Sequence, residues 1–140
     1  MQISLPVLLG LFGVLVSACA ELPTRDQETL KRGAFVYSKE CAQCHGVDAR
    51  GGGPESLGIG VVPPDLTILS LANDGEFPRE FVRRFVMGLL EKDTLDPTMP
   101  EFATAGLAHV YPDGGADGEI LEADFADLLD YLSSILSTAE

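Results

Sequence analysis

Three stretches of the chain repeat their apolar residues at helical spacing, and no stretch shows the sustained alternation that marks a strand. The first, Thr29 to Glu40, carries Leu30, Ala34, Phe35 and Tyr37 and leads directly into Cys41. The second opens at Pro78, which suits a first helical turn, and repeats Phe81, Val82, Phe85, Val86, Leu89 and Leu90. The third runs from about Leu121 to Ser137, with Phe125, Leu128, Leu129, Leu132, Ile135 and Leu136 as its stripe. Its acids Glu122, Asp124 and Asp127 stand near the N-terminus, where the macrodipole favours them. Between the first two lies Gly46 to Pro64, rich in Gly and Pro and without helical period, which predicts a loop. The expectation is an all-α domain.

A fourth apolar run, Ile3 to Ala18, has no charged side chain before Glu21 and is short for a spanning helix, which needs about 20 residues. It reads as a secretory signal, although its n-region lacks Lys or Arg. Its end, Val16-Ser17-Ala18-Cys19, resembles the lipobox of bacterial lipoproteins. That resemblance implies an acylated Cys19 as mature N-terminus, membrane attachment through the lipid, and a place on the periplasmic side of a bacterial membrane. Ala20 after Cys19, where some bacteria use an aspartate for inner-membrane retention, favours the outer membrane. An uncleaved anchor, or an ordinary signal cleaved near Ala20, is the alternative. The expected division is therefore signal 1–18, lipidated tether 19–27 and a single domain 28–140, with no internal repeat.

The formal net charge is −13, unevenly placed. From Glu91 to Glu140 there are twelve acids and one base, Lys92, whereas residues 19–90 hold ten acids and eight bases. Such a surface repels nucleic acid and anionic lipid and steers toward a basic docking surface, with strong salt dependence. A solvated face that only keeps the protein soluble is the plainer account.

Cys41-Ala42-Gln43-Cys44-His45 is a C-x-x-C-H run, the attachment signature of a c-type haem. Two thiols at this spacing can add to the vinyl groups on one porphyrin edge while the adjacent imidazole becomes the proximal iron ligand. A redox dithiol would use the same cysteine spacing, and a zinc site would need a second ligand pair, which the chain lacks. The expected cofactor is one covalent haem c on Cys41 and Cys44, with His45 on the iron.

With these residues in place the domain resembles a small class I cytochrome c. That family carries a glycine and an aromatic four residues apart in its N-terminal helix, the aromatic four before the first haem cysteine; Gly33, Tyr37 and Cys41 fit. The resemblance implies that the C-terminal helix crosses at Gly33, with Leu128 and Tyr131 as partners. It also implies a distal methionine, often followed by proline, which Thr98-Met99-Pro100 supplies. Met99 is thus the expected sixth ligand and His109 the runner-up; Met1 leaves with the signal, and Met87 sits in a helical stretch. Pro63-Pro64-Asp65 resembles the family's proline segment, which implies that a Pro63 or Pro64 carbonyl accepts the second ring N–H of His45; a stiff turn before Leu66 is the plainer reading.

Arg50 and Gly51 to Gly53 do not continue into a phosphate-binding loop and read as turn residues, with Arg50 near a haem propionate. Asp113 to Asp124 resembles a twelve-position EF-hand loop, with Asp113, Asp117 and Asp124 at positions 1, 5 and 12. Gly115 at position 3, Asp124 where a bidentate Glu is usual, and the lack of a paired loop depart from it. Calcium is the ligand this resemblance implies; an acidic turn capping the last helix is the alternative.

Taken together, these features predict electron transfer by a membrane-tethered monohaem cytochrome with His/Met ligation, passing electrons to redox proteins. Nothing supplies a separate nucleophile or acid–base pair, so the chain is expected to be a carrier and not an enzyme. A haem subunit of a larger dehydrogenase or oxidase, or an open-site peroxidase or sensor, are the alternatives.

Overall fold

The computed structural model describes residues 24–60, 62–90, 99–114 and 118–137. Within them every regular element is helical: α1 (Arg25–Glu40), α2 (Ala42–His45), α3 (Ser56–Ile59), a 3-10 turn at Leu66–Ile68, α4 (Arg79–Met87), α5 (Phe102–Ala105) and α6 (Gly118–Ser134). The expected signal segment, with Cys19, lies outside the described residues. No described helix is long and apolar enough to cross a membrane.

The helix α1 begins earlier than its apolar period suggests. Thr24 is its N-cap and forms a capping box with Gln27, each side chain satisfying the other's backbone N–H. The helix therefore starts inside the 19–27 segment expected to be a tether. Its buried face is Gly33, Val36 and Tyr37. Phe35, expected on that face, is exposed, and the cations of Arg32 and Lys39 lie 5.4 and 5.8 Å from its ring centroid.

The main packing between elements is α1 against α6. The crossing falls at Gly33, where a Cβ would overlap the Asp127 carbonyl and the Tyr131 Cβ. The expected partner Leu128 is instead one position further on and buried in the core, so Asp127 and Tyr131 make the close approach. Beside it the Tyr37 and Tyr131 rings meet at 5.5 Å. Phe125, Leu128, Leu129 and Leu132 of α6 are all buried, as their spacing predicts; each removes an apolar side chain from water, worth about 1.5–3 kcal/mol.

Pro78 caps α4 from outside the first turn, and Gly88, at φ 76°, ends it in the left-handed conformation. Val82 and Val86 are buried toward α6, and Phe102 of α5 meets Phe125 edge-on at 5.8 Å. The Gly/Pro-rich stretch contains one helical turn, α3, that its composition did not announce.

Candidate functional site

The turn α2 continues almost without a break from α1. Cys44 N–H and His45 N–H both donate to the Cys41 carbonyl, at 3.2 and 2.9 Å. This helical geometry places Cys41, Cys44 and His45, spaced i, i+3 and i+4, on one face. Tyr37, one turn earlier, sends its hydroxyl to the Gly46 carbonyl at 2.6 Å and so anchors the far end of the motif. Burial drives the Tyr37 hydroxyl well above its ordinary pKa, which keeps it a donor.

The glycine-rich stretch docks against the motif by three backbone bonds. Gly51 N–H reaches the His45 carbonyl at 2.8 Å, Gly53 N–H the Cys44 carbonyl at 3.0 Å, and Glu55 N–H the Gln43 carbonyl at 2.9 Å. A Cβ at Gly53 would overlap the Ala42 and Gln43 carbonyls, so glycine is required by that close approach. Arg50 stands 3.7 Å from the Asp65 carboxylate.

On the other side of the imidazole, His45 Nδ1 lies 3.4 Å from the Pro64 carbonyl oxygen. Of the two prolines it is Pro64 that faces the ring; the Pro63 carbonyl backs onto Gly51.

Two adjoining clefts open from this face. Both are lined by Cys41, His45 and Met99. The first adds Glu40, Cys44 and His109; the second adds Leu66, Leu69, Phe81, Phe85, Val86 and Leu128. Phe81 and Phe85 stack with centroids 6.0 Å apart, and Phe81 is 57% exposed although its period assigns it to the buried face. A flat apolar group seated in the second cavity would cover it, which is the fit expected of a porphyrin beside two thiols and an imidazole. Burial pushes the Cys41 thiol up to about 12, with Glu40 and Cys44 adding to the effect.

The competing ligands stand elsewhere or are engaged. Met87 closes α4 and lines a groove with Arg79, Arg83 and Phe125, away from both cavities. His109 borders the first cavity, but its side chain is 62% exposed and its Nδ1 lies 2.8 Å from Glu40 Oε2.

The calcium expectation needs correction at Asp124. That residue is buried in α6, and its carboxylate accepts two hydrogen bonds from Arg32 and one from the Tyr111 hydroxyl, at 2.5–2.6 Å. Burial raises its pKa, yet these donors outweigh burial and hold it below the ordinary aspartate value. Its oxygens are spent on protein donors. Asp113 is exposed in a turn, and Asp117 lies outside the described residues. Among the described residues no cluster of three His, Cys, Asp or Glu could hold a metal ion.

The family model for cytochrome c matches residues 30–136. The chain belongs to the cytochrome c family. As a cytochrome c it uses covalently held haem for electron transfer, and the thiols of Cys41 and Cys44 with the His45 imidazole are the groups that fit it. No curated protein and no solved structure matches the chain. The family match covers α1 from residue 30, all of α6 and every residue that lines the two cavities, so the cytochrome c domain and the site geometry coincide. Sequence reasoning passed over Arg32, Tyr111 and Glu40, whose partners lie far along the chain.

Proposed function

We propose that this cytochrome c is a single-haem electron carrier with His45 and Met99 as axial ligands, lipid-anchored through Cys19. The observation that carries the ligand assignment is that His45 and Met99 border the same two cavities together with Cys41. Haem iron, when bound, supplies the one-electron chemistry. The chain's own residues fix the setting. The Pro64 carbonyl holds His45 by Nδ1, which gives Nε2 to the metal and sets the ring's orientation and basicity. The Met99 thioether would supply a soft, neutral ligand that favours the reduced state, and His45 and Met99 together would leave no site on the group for small ligands. Phe81, Phe85 and Leu128 would pack against one side of that group.

The acid-rich C-terminal half supports docking on a partner with a basic surface, with salt weakening the encounter. The lipobox resemblance supports the periplasmic face of a bacterial membrane, the outer one preferred.

The ferric protein is expected to show the near-infrared band of methionine–iron ligation and to resist carbon monoxide when reduced. Absence of the band together with rapid carbon monoxide binding would make it an open-site haem protein. A mass spectrum of the mature protein is expected to report one covalent haem and an acylated Cys19; an unmodified Cys19 would remove the anchor.

A further inference from the structure

Glu40 stands where local physics disfavours it. It is the last residue of the 16-residue α1, at the negative end of the helix dipole, and its side chain is only 3% exposed. It also lines the first cavity with Cys41, Cys44 and His45. Three donors from one turn compensate it. Oε1 accepts the backbone N–H of His109 at 2.7 Å and of Val110 at 2.8 Å, and Oε2 accepts from His109 Nδ1 at 2.8 Å. The two amides are permanent donors, whereas the imidazole carries a positive charge only when protonated, and it is open to water.

Among the described residues, the other titratable or charged groups that line the same cavity or adjoin this pair are Cys41 between α1 and α2, Cys44 and His45 of α2, Glu55 ahead of α3, and Lys39 beside Glu40 on α1. The lysine next in sequence turns away, its ammonium standing over Phe35. His109 is therefore the switchable counter-charge to a carboxylate buried in the wall of the haem cavity.

We infer that the Glu40–His109 pair couples the iron's reduction potential to the protonation of His109, making reduction draw a fraction of a proton from water. This rests on the carrier reading above. A buried carboxylate favours the more positive ferric iron, and a protonated His109 offsets it. The electron comes from the redox partner, and the proton fraction moves between solvent and the His109 imidazole; on oxidation both leave. The sign follows: deprotonating His109 lowers the potential, so the potential falls as pH rises. By linkage His109 binds its proton more tightly in the ferrous protein.

The test is potentiometry of the holoprotein from about pH 5 to 8, beside His109→Gln and Glu40→Gln. In the parent the potential is expected to fall with pH, and in His109→Gln that fall is expected to vanish. Glu40→Gln is expected to raise the potential. Nuclear magnetic resonance titration of His109 should give a several-fold tighter proton affinity in the ferrous than in the ferric state. A flat parent profile overturns the inference, and so does an unchanged slope in His109→Gln, which would assign the proton to another group. His109 is exposed, so its variant folds even if Glu40→Gln does not. The near-infrared methionine band, read on the same samples, tests the ligand assignment separately.

Discussion

Arg32 grips Asp124 across the α1–α6 crossing with two nitrogens, Nε to Oδ1 at 2.5 Å and Nη2 to Oδ2 at 2.6 Å. The Tyr111 hydroxyl closes the triangle, accepting from Arg32 Nη2 and donating to Asp124 Oδ2, both at 2.6 Å. Bidentate charge-assisted bonds of this kind outlast simple surface pairs, and here they join three segments at once.

Replacing Asp124 with alanine strips Arg32 and Tyr111 of their shared acceptor. Denaturant unfolding is expected to show a loss of about 1–3 kcal/mol. The same pair sets an acid dependence. Because the folded pKa of Asp124 is depressed, its contribution is present above the ordinary aspartate range and disappears as pH falls through the lower, folded value. The parent should therefore lose stability on acidification more steeply than Asp124→Asn.

Calcium should not bind at residues 113–124. Calorimetric titration to millimolar concentration is expected to register no uptake, because the carboxylate needed at the twelfth position belongs to Arg32.

Asp127 is in the opposite situation. Burial comes first and the neighbouring Asp124 and Asp130 add to it, so its carboxyl titrates above the ordinary value. An acid with a raised folded pKa destabilises the fold at neutral pH, and acidification relieves it. Asp127→Asn is expected to stabilise by a few tenths of a kcal/mol at pH 7, with the gain fading toward pH 4.

Gly33→Ala pushes a methyl into the Asp127 carbonyl and Tyr131. Neither backbone nor Cβ can retreat without moving a helix, so a cost of about 3 kcal/mol is expected in thermal or denaturant unfolding. A variant of unchanged stability would mean that the crossing is looser than this geometry.

Tyr37→Phe deletes the donor to the Gly46 carbonyl while keeping the ring packing. A loss of about 1–2 kcal/mol is expected. Proteolysis at the turn after His45 should quicken, since that bond pins the end of the C-x-x-C-H turn.

Much of this was legible because it is local. Helical spacing marked α4 and α6, and the five-residue motif marked Cys41, Cys44 and His45, which line the cavity together. The resemblance marked the glycine at the crossing, although the residues that meet it proved to be Asp127 and Tyr131. What stayed hidden depends on pairs far apart in the chain. Nothing near Glu40 reveals that His109, 69 positions later, will turn back onto it. Asp124 misled for the same reason: its local context is an acidic loop, and the arginine that claims it is 92 residues away. Phe35 and Phe81 kept helical period yet stay exposed, one under two cations and one beside a cavity built for a non-protein group.

The meeting of α1 with α6 joins the first and last described helices, so the C-x-x-C-H turn, α4 and Met99 all lie in the loop this contact closes. Forming it demands a long-range search whose entropy is spent before most of the rewarding contacts exist. Folding is thereby expected to be all-or-none, with a cut before Gly118 freeing the interior at once. The covalent thioether bonds then keep the cofactor on the chain through any such opening, leaving recovery to depend only on the two ends finding each other again.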